Sequence, residues 1–175
     1  MDISIFDEIQ KRYELTENLF KLLKKNSNVR SQVGYESNHF SEIDDELEAI
    51  KDLFIIDAFA AFERLLRNRV LDSLGSQENE LSVRLAKVVR NESEYIKIEY
   101  LLDVLKNFAD PGRIGLIKQI KKYRDRVAHG KRLLTYSPVK PVDIYVIFEV
   151  IRLAAVTLTN NSIHRQPHVD TSTFL

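Results

Sequence analysis

Cysteine is absent from the 175 residues, and glycine (five) and proline (four) are scarce. Without thiols, neither a disulfide nor a thiolate metal site forms, which suits a reducing cytoplasm. The prolines stand at 111, 138, 141 and 167, so the first 110 residues contain none, which favours long helices. No apolar run approaches the length that spans a bilayer. The N-terminal stretch MDISIFDEIQKRYEL is acidic and amphipathic, unlike a secretory signal. No segment alternates with period two between hairpin signals, and the repeat periods of helical solenoids do not appear. These absences point to an all-α, cytoplasmic protein with no membrane partner, an antiparallel bundle of about five or six helices. The length fits one domain, expected over residues 1–161, with 162–175 as a flexible C-terminal tail.

Charge is plentiful, at 30% of residues, and sums to zero, but it is unevenly placed. Residues 36–63 carry nine acids and one base, Lys51, whereas residues 113–132 carry eight bases and one acid, Asp125. Such asymmetry fits an anionic partner, and equally two segments that are solvated or pack on each other. The densest stretch, KKYRDRVAHGKR at 121–132, holds six cations, one acid and one of only four histidines.

Residues 2–25 repeat apolar side chains at helical spacing: Ile5, Ile9, Tyr13, Leu15, Leu19, Leu22 and Leu23. This stripe reads most simply as core, or else as part of a dimer interface. Residues 26–40 are polar and read as a loop or short helix. Ser41 with Asp44 marks the start of a long helix that runs to near Gly75, with a bend or break expected midway. Residues 76–80 link it to two shorter helices, 82–90 and 94–108. Asp110 and Pro111 open a helix over 113–129, and Gly130 ends it, because glycine tolerates the left-handed conformation there. After a connector, a final helix spans 143–159, with Ile144, Ile147, Phe148, Ile151, Ala155 and Leu158 on one side.

On the 113–129 helix the apolar stripe runs Ile117, Ile120, Arg124 and Val127/Ala128. Arg124 therefore stands where a core residue belongs, and a guanidinium is costly to bury unless paired or lining a polar cleft. His129 follows five residues later, about 140° round an ideal helix. The two converge on one cleft only through the length of arginine and the helix end at His129. Asp125 lies four residues before His129, placed to orient the imidazole and stabilise its cation.

This trio suits phosphodiester chemistry. Histidine moves a proton near neutral pH, and arginine matches phosphate geometry and stabilises a pentacoordinate transition state. Lys121, Lys122, Arg126, Lys131 and Arg132 would hold a nucleic-acid backbone by charge, with Lys118 beside them. RNA is favoured over DNA because its 2′-OH is a built-in nucleophile, so no metal or other cofactor is expected. Cleavage needs both a base and an acid, and a symmetric homodimer supplies a second histidine.

On the residues alone a plainer reading stands level with this one: an ion-pair cluster at a helix end, where histidine favours the dipole. Glu63 either contacts Arg124 or His129 in the cleft or pairs with Arg67 one turn on. Arg126 reads as RNA-binding, or more simply as a solvated helix residue or an interface residue. His164 and His168 have a metal-binding spacing, but Pro167 between them argues for a tail instead. His39 in its polar loop points to nothing specific.

The run RDRVAHG resembles the R-x4-H motif of the HEPN (higher eukaryotes and prokaryotes nucleotide-binding) superfamily, through Arg124, Asp125, Ala128, His129 and Gly130. FAAFERLLRNRV, residues 59–70, resembles the long second helix of those proteins. The likeness spans about residues 41–160 and is nearest to stand-alone bacterial members of the RiboL-PSP and MAE type. It implies an all-α dimer and a metal-independent endoribonuclease, with Arg124 and His129 at the dimer cleft. It also implies a toxin or abortive-infection effector controlled by an antitoxin or other regulatory partner. Members paired with nucleotidyltransferase antitoxins carry tyrosine two residues after the histidine; Lys131 stands there in this chain, which argues against modification at that position. Some members bind without cutting, so a non-catalytic RNA- or nucleotide-binding module, or a helical adaptor, is the alternative.

Overall fold

The computed structural model describes residues 3–34, 40–75, 80–92, 96–105, 110–129 and 143–160. Among these it contains seven α-helices. They are α1 (Ser4–Lys25), α2 (Ser27–Gln32), α3 (Phe40–Gly75), α4 (Glu80–Glu92), α5 (Ile98–Leu105), α6 (Pro111–Ala128) and α7 (Ile144–Asn160). The all-α expectation holds among the described residues, and α2 takes the short-helix alternative for the polar stretch after α1, which brings the helices to seven rather than five or six. The tail at 162–175, with His164 and His168, lies outside the described residues, as do His39 and Gly130.

Side chains that compete with the backbone set several helix starts. Asn26 Oδ1 accepts from the amides of Asn28 and Val29, which explains a helix in so polar a segment. Asp110 Oδ2 accepts from Arg113 N at 3.0 Å, with Pro111 in the first turn, as the sequence predicts. Asp143 Oδ1 accepts from Tyr145 N at 2.8 Å and opens α7. At the other end of α1, the buried Arg30 guanidinium donates to the carbonyls of Leu23 and Lys24 and lies 4.6 Å from the Phe40 ring centroid. It satisfies acceptors that the helix itself leaves open.

The long α3 is a single helix from Phe40 to Gly75, without the expected break. It is the spine, packing against α1, α4, α5, α6 and α7. Neighbours on several sides explain why its apolar residues do not keep to one narrow stripe. Its Ile55, Phe59, Phe62 and Leu66 are fully buried, and Ile114, Ile117 and Ile120 of α6 join the same core. From α7, Ile144, Ile147, Phe148, Ile151, Ala155 and Leu158 are all buried, as the spacing predicts. Arg69 Nε, donating to Leu158 O at 2.9 Å, ties α3 to the end of α7.

The stripe expected on α1 needs correction. Phe6, Ile9 and Tyr13 face the core, but Leu15, Leu19 and Leu22 are 63%, 53% and 60% exposed. At about 100° per residue, Leu15 and Leu22 lie about 140–160° round the helix from the Ile9–Tyr13 line, and Leu19 about 100°. The sequence reading merged two faces of one helix into one stripe. No described helix is long and apolar enough to cross a membrane.

Candidate functional site

The last two turns of α6 change character. Ile114, Ile117 and Ile120 are buried, but the next positions facing α3 are Tyr123 and Arg124. Each meets an acid on α3. Tyr123 Oη donates to Asp52 Oδ1 at 2.8 Å, and Asp52 is only 4% exposed. Burial, and then the hydrogen bond to Asp52, push the Tyr123 phenol well above its ordinary range. Asp52 stands on the continuation of the Ile55–Phe59–Phe62 stripe, three residues before Ile55, where an apolar residue belongs. That misplacement is the signal by which the sequence could have revealed it.

Arg124 is held from three directions. Its Nη2 donates to Glu63 Oε2 at 3.1 Å, its Nη1 lies 3.1 Å from Asp125 Oδ1, and its Cζ lies 4.8 Å from the Phe59 ring centroid. Glu63 answers both alternatives raised by the sequence: its other oxygen accepts from Arg67 Nη2 at 2.6 Å. Arg67 also donates through Nη1 to Ile96 O at 2.8 Å. Asp125 Oδ2 pairs with Lys121 Nζ at 2.6 Å, and the same ammonium lies 2.6 Å from Glu99 Oε1. Arg67, Glu63, Arg124, Asp125, Lys121 and Glu99 thus form one chain of alternating charge across α3, α6 and α5. Partial burial acts to lower the Lys121 pKa, but its bonds to Asp125 and Glu99 outweigh this and raise it. The Glu99 carboxyl is held below its usual range, chiefly by the Lys121 hydrogen bond.

His129 is the C-cap of α6, its amide donating to Asp125 O at 3.0 Å. The residue is exposed. Asp125 and His129 are therefore joined through the backbone, while the Asp125 carboxylate is turned to Arg124 and Lys121. Within one chain, Arg124 points toward α3 and His129 stands at the open helix end. Of the cations expected to bind RNA, Lys121 is committed to two carboxylates, Lys122 is exposed and Arg126 is half-buried. Lys118 pairs with Asp103 at 2.8 Å. Lys131 and Arg132 lie outside the described residues.

Beyond Val127 and Ala128, an open groove of about 550 Å³ runs between the end of α6 and the first half of α3. Its α3 wall carries Asp45, Glu48 and Asp52. Phe59, Asp52 and Glu99 were not anticipated from the sequence, whereas Arg67 was expected as a partner of Glu63. Glu99 stands on a separate short helix, and no spacing rule links it to Lys121. Among the described residues, no group of three or more histidine, aspartate or glutamate side chains could hold a metal ion. Compared with protein-family models, with curated proteins and with solved structures, the chain finds no match. The likeness to the HEPN superfamily therefore rests on the sequence alone, on RDRVAHG and residues 59–70.

Proposed function

We propose that the chain is a HEPN-type, metal-independent endoribonuclease, a toxin or defence effector that works as a homodimer in the cytoplasm. The observation that carries this reading is Arg124. It occupies a core-facing position, is oriented by Glu63, Asp125 and the Phe59 ring, and precedes by five residues an exposed histidine at a helix end. A guanidinium has five N–H donors, and Glu63 and Asp125 together do not use them all, so donors remain for a phosphate.

In the proposed reaction, His129 takes the proton of an RNA 2′-OH, and the freed oxygen attacks the adjacent phosphorus. Arg124 stabilises the charge of the pentacoordinate phosphorus. The P–O5′ bond then breaks, and the leaving oxygen takes a proton from the His129 of the second copy. The products are a 2′,3′-cyclic phosphate and a 5′-hydroxyl. Lys122 and Arg126, with Lys131 and Arg132, would attract the RNA backbone.

The test is RNA cleavage in EDTA by the wild type, Arg124→Ala and His129→Ala. Cleavage by the wild type alone, with cyclic-phosphate ends, is the expected result. Equal cleavage by all three, or none by the wild type on a broad set of RNAs, refutes the assignment. The closed charge chain around Arg124 favours one second reading, a helical module that binds RNA without turnover. That reading expects salt-sensitive binding that depends on the lysines and is indifferent to His129→Ala.

A further inference from the structure

The groove between α3 and the end of α6 is chemically unlike the basic face of α6. Its apolar surface comes from Leu53, which is 63% exposed, with Ile56, Ala49, Val127 and Ala128. Its rim is anionic: Asp45 and Glu48 are exposed, and Asp52 lies buried beneath. The neighbouring cation, Lys51, reaches Glu48 at 3.2 Å.

We propose that this groove docks a basic amphipathic segment of a partner protein. Three observations select that occupant. The acids repel a phosphate backbone, so the groove does not continue an RNA path. A two-fold axis through the groove would set Asp45 and Glu48 against their own copies, which opposes a second copy of the chain there. The exposed Leu53 and the half-buried Ile56, three residues apart, stand beside the acids Glu48 and Asp45 one to three turns away. A helix with apolar side chains on one face, flanked by lysine or arginine, meets both demands at once. The inference stands on groove chemistry and does not depend on RNA cleavage.

The experiment uses the full chain and a fluorescein-labelled helical peptide of leucine and lysine, with a leucine–glutamate peptide as control. Fluorescence anisotropy should show the lysine peptide binding, with affinity falling as salt rises, and the glutamate peptide not binding. The double variant Asp45→Asn/Glu48→Gln should weaken binding at least tenfold, and Leu53→Lys should do the same. All three sites are exposed, so circular dichroism and thermal melting should match the wild type. Chemical-shift changes should centre on residues 45–56 and 127–128. Equal binding by wild type and variants, or shifts confined to another face, overturns the proposal. So does a dimer that the same variants dissociate and the peptide does not disturb, since the occupant is then a second copy.

Discussion

Glu63→Ala tests whether the charge chain holds Arg124 in place. Glu63 bonds two guanidiniums, Arg67 at 2.6 Å and Arg124 at 3.1 Å, and its side chain is 24% exposed. A shielded hydrogen bond to a charged group contributes about 1.5–3 kcal/mol, and a fully exposed ion pair about 0–1 kcal/mol. With a quarter of each partner in water, about 1 kcal/mol per bond is the reasonable middle, or about 2 kcal/mol for the substitution. The loss is not larger, because neither arginine is stranded. Arg67 keeps Ile96 O, and Arg124 keeps Asp125 and the Phe59 ring. For a chain of this size, about 2 kcal/mol lowers the melting temperature by about 4–8 °C. Urea denaturation of Glu63→Ala, Arg124→Met and the double variant should give a coupling of about 1 kcal/mol. A coupling below about 0.3 kcal/mol would falsify the claim that Glu63 positions Arg124.

Other outcomes follow from the same geometry. His129→Ala should change stability by less than about 0.5 kcal/mol, because an exposed C-cap makes few contacts, while abolishing any RNA cleavage. Tyr123→Phe should cost about 1 kcal/mol in urea denaturation, because it removes a donor from the buried Asp52. Ile9→Ala should cost about 2–5 kcal/mol, whereas Leu19→Ser should cost little, and equal effects would overturn the two-faced reading of α1. Glu17 and Glu99 carry lowered folded-state pKa values, set first by hydrogen bonds from Lys21 and Lys121. Their contribution to stability is therefore complete above pH 4.5, the ordinary value, and is lost as pH falls through the lowered ones. Acid melts of Glu99→Gln should show a shallower loss of stability below that point than the wild type.

The helices were legible where one rule governed them. Asp110 and Pro111 announced α6, and the buried face of α7 could be read residue by residue from its spacing. The α1 stripe misled because periodicity weighs every leucine alike and cannot tell which face meets a neighbour. The continuity of α3 was hidden for a related reason: its support comes from five packing partners, which no local propensity records. At the candidate site, the displaced Arg124 was visible because it broke a stripe. Its cross-helix partner needed the fold, since Glu63 is 61 residues away in sequence. Asp125 shows the limit of spacing arguments. Its position four residues before His129 was correct as geometry, yet Lys121 and Arg124 are stronger and nearer partners for its carboxylate.

The spine has a consequence for how the molecule breathes. Middle residues of α3 are covered by helices on several sides, so their amides should exchange with solvent only when the whole domain opens. Asp52, Phe59 and Glu63 belong to that slow-exchanging part, and through them Tyr123 and Arg124 are fastened to it. His129, one residue past the end of α6, should exchange by local fraying. The arginine and the histidine of the motif thus sit on opposite sides of a boundary between slow and fast opening, only five residues apart. Any event that brings the two together has to move the helix end, since the spine will not yield.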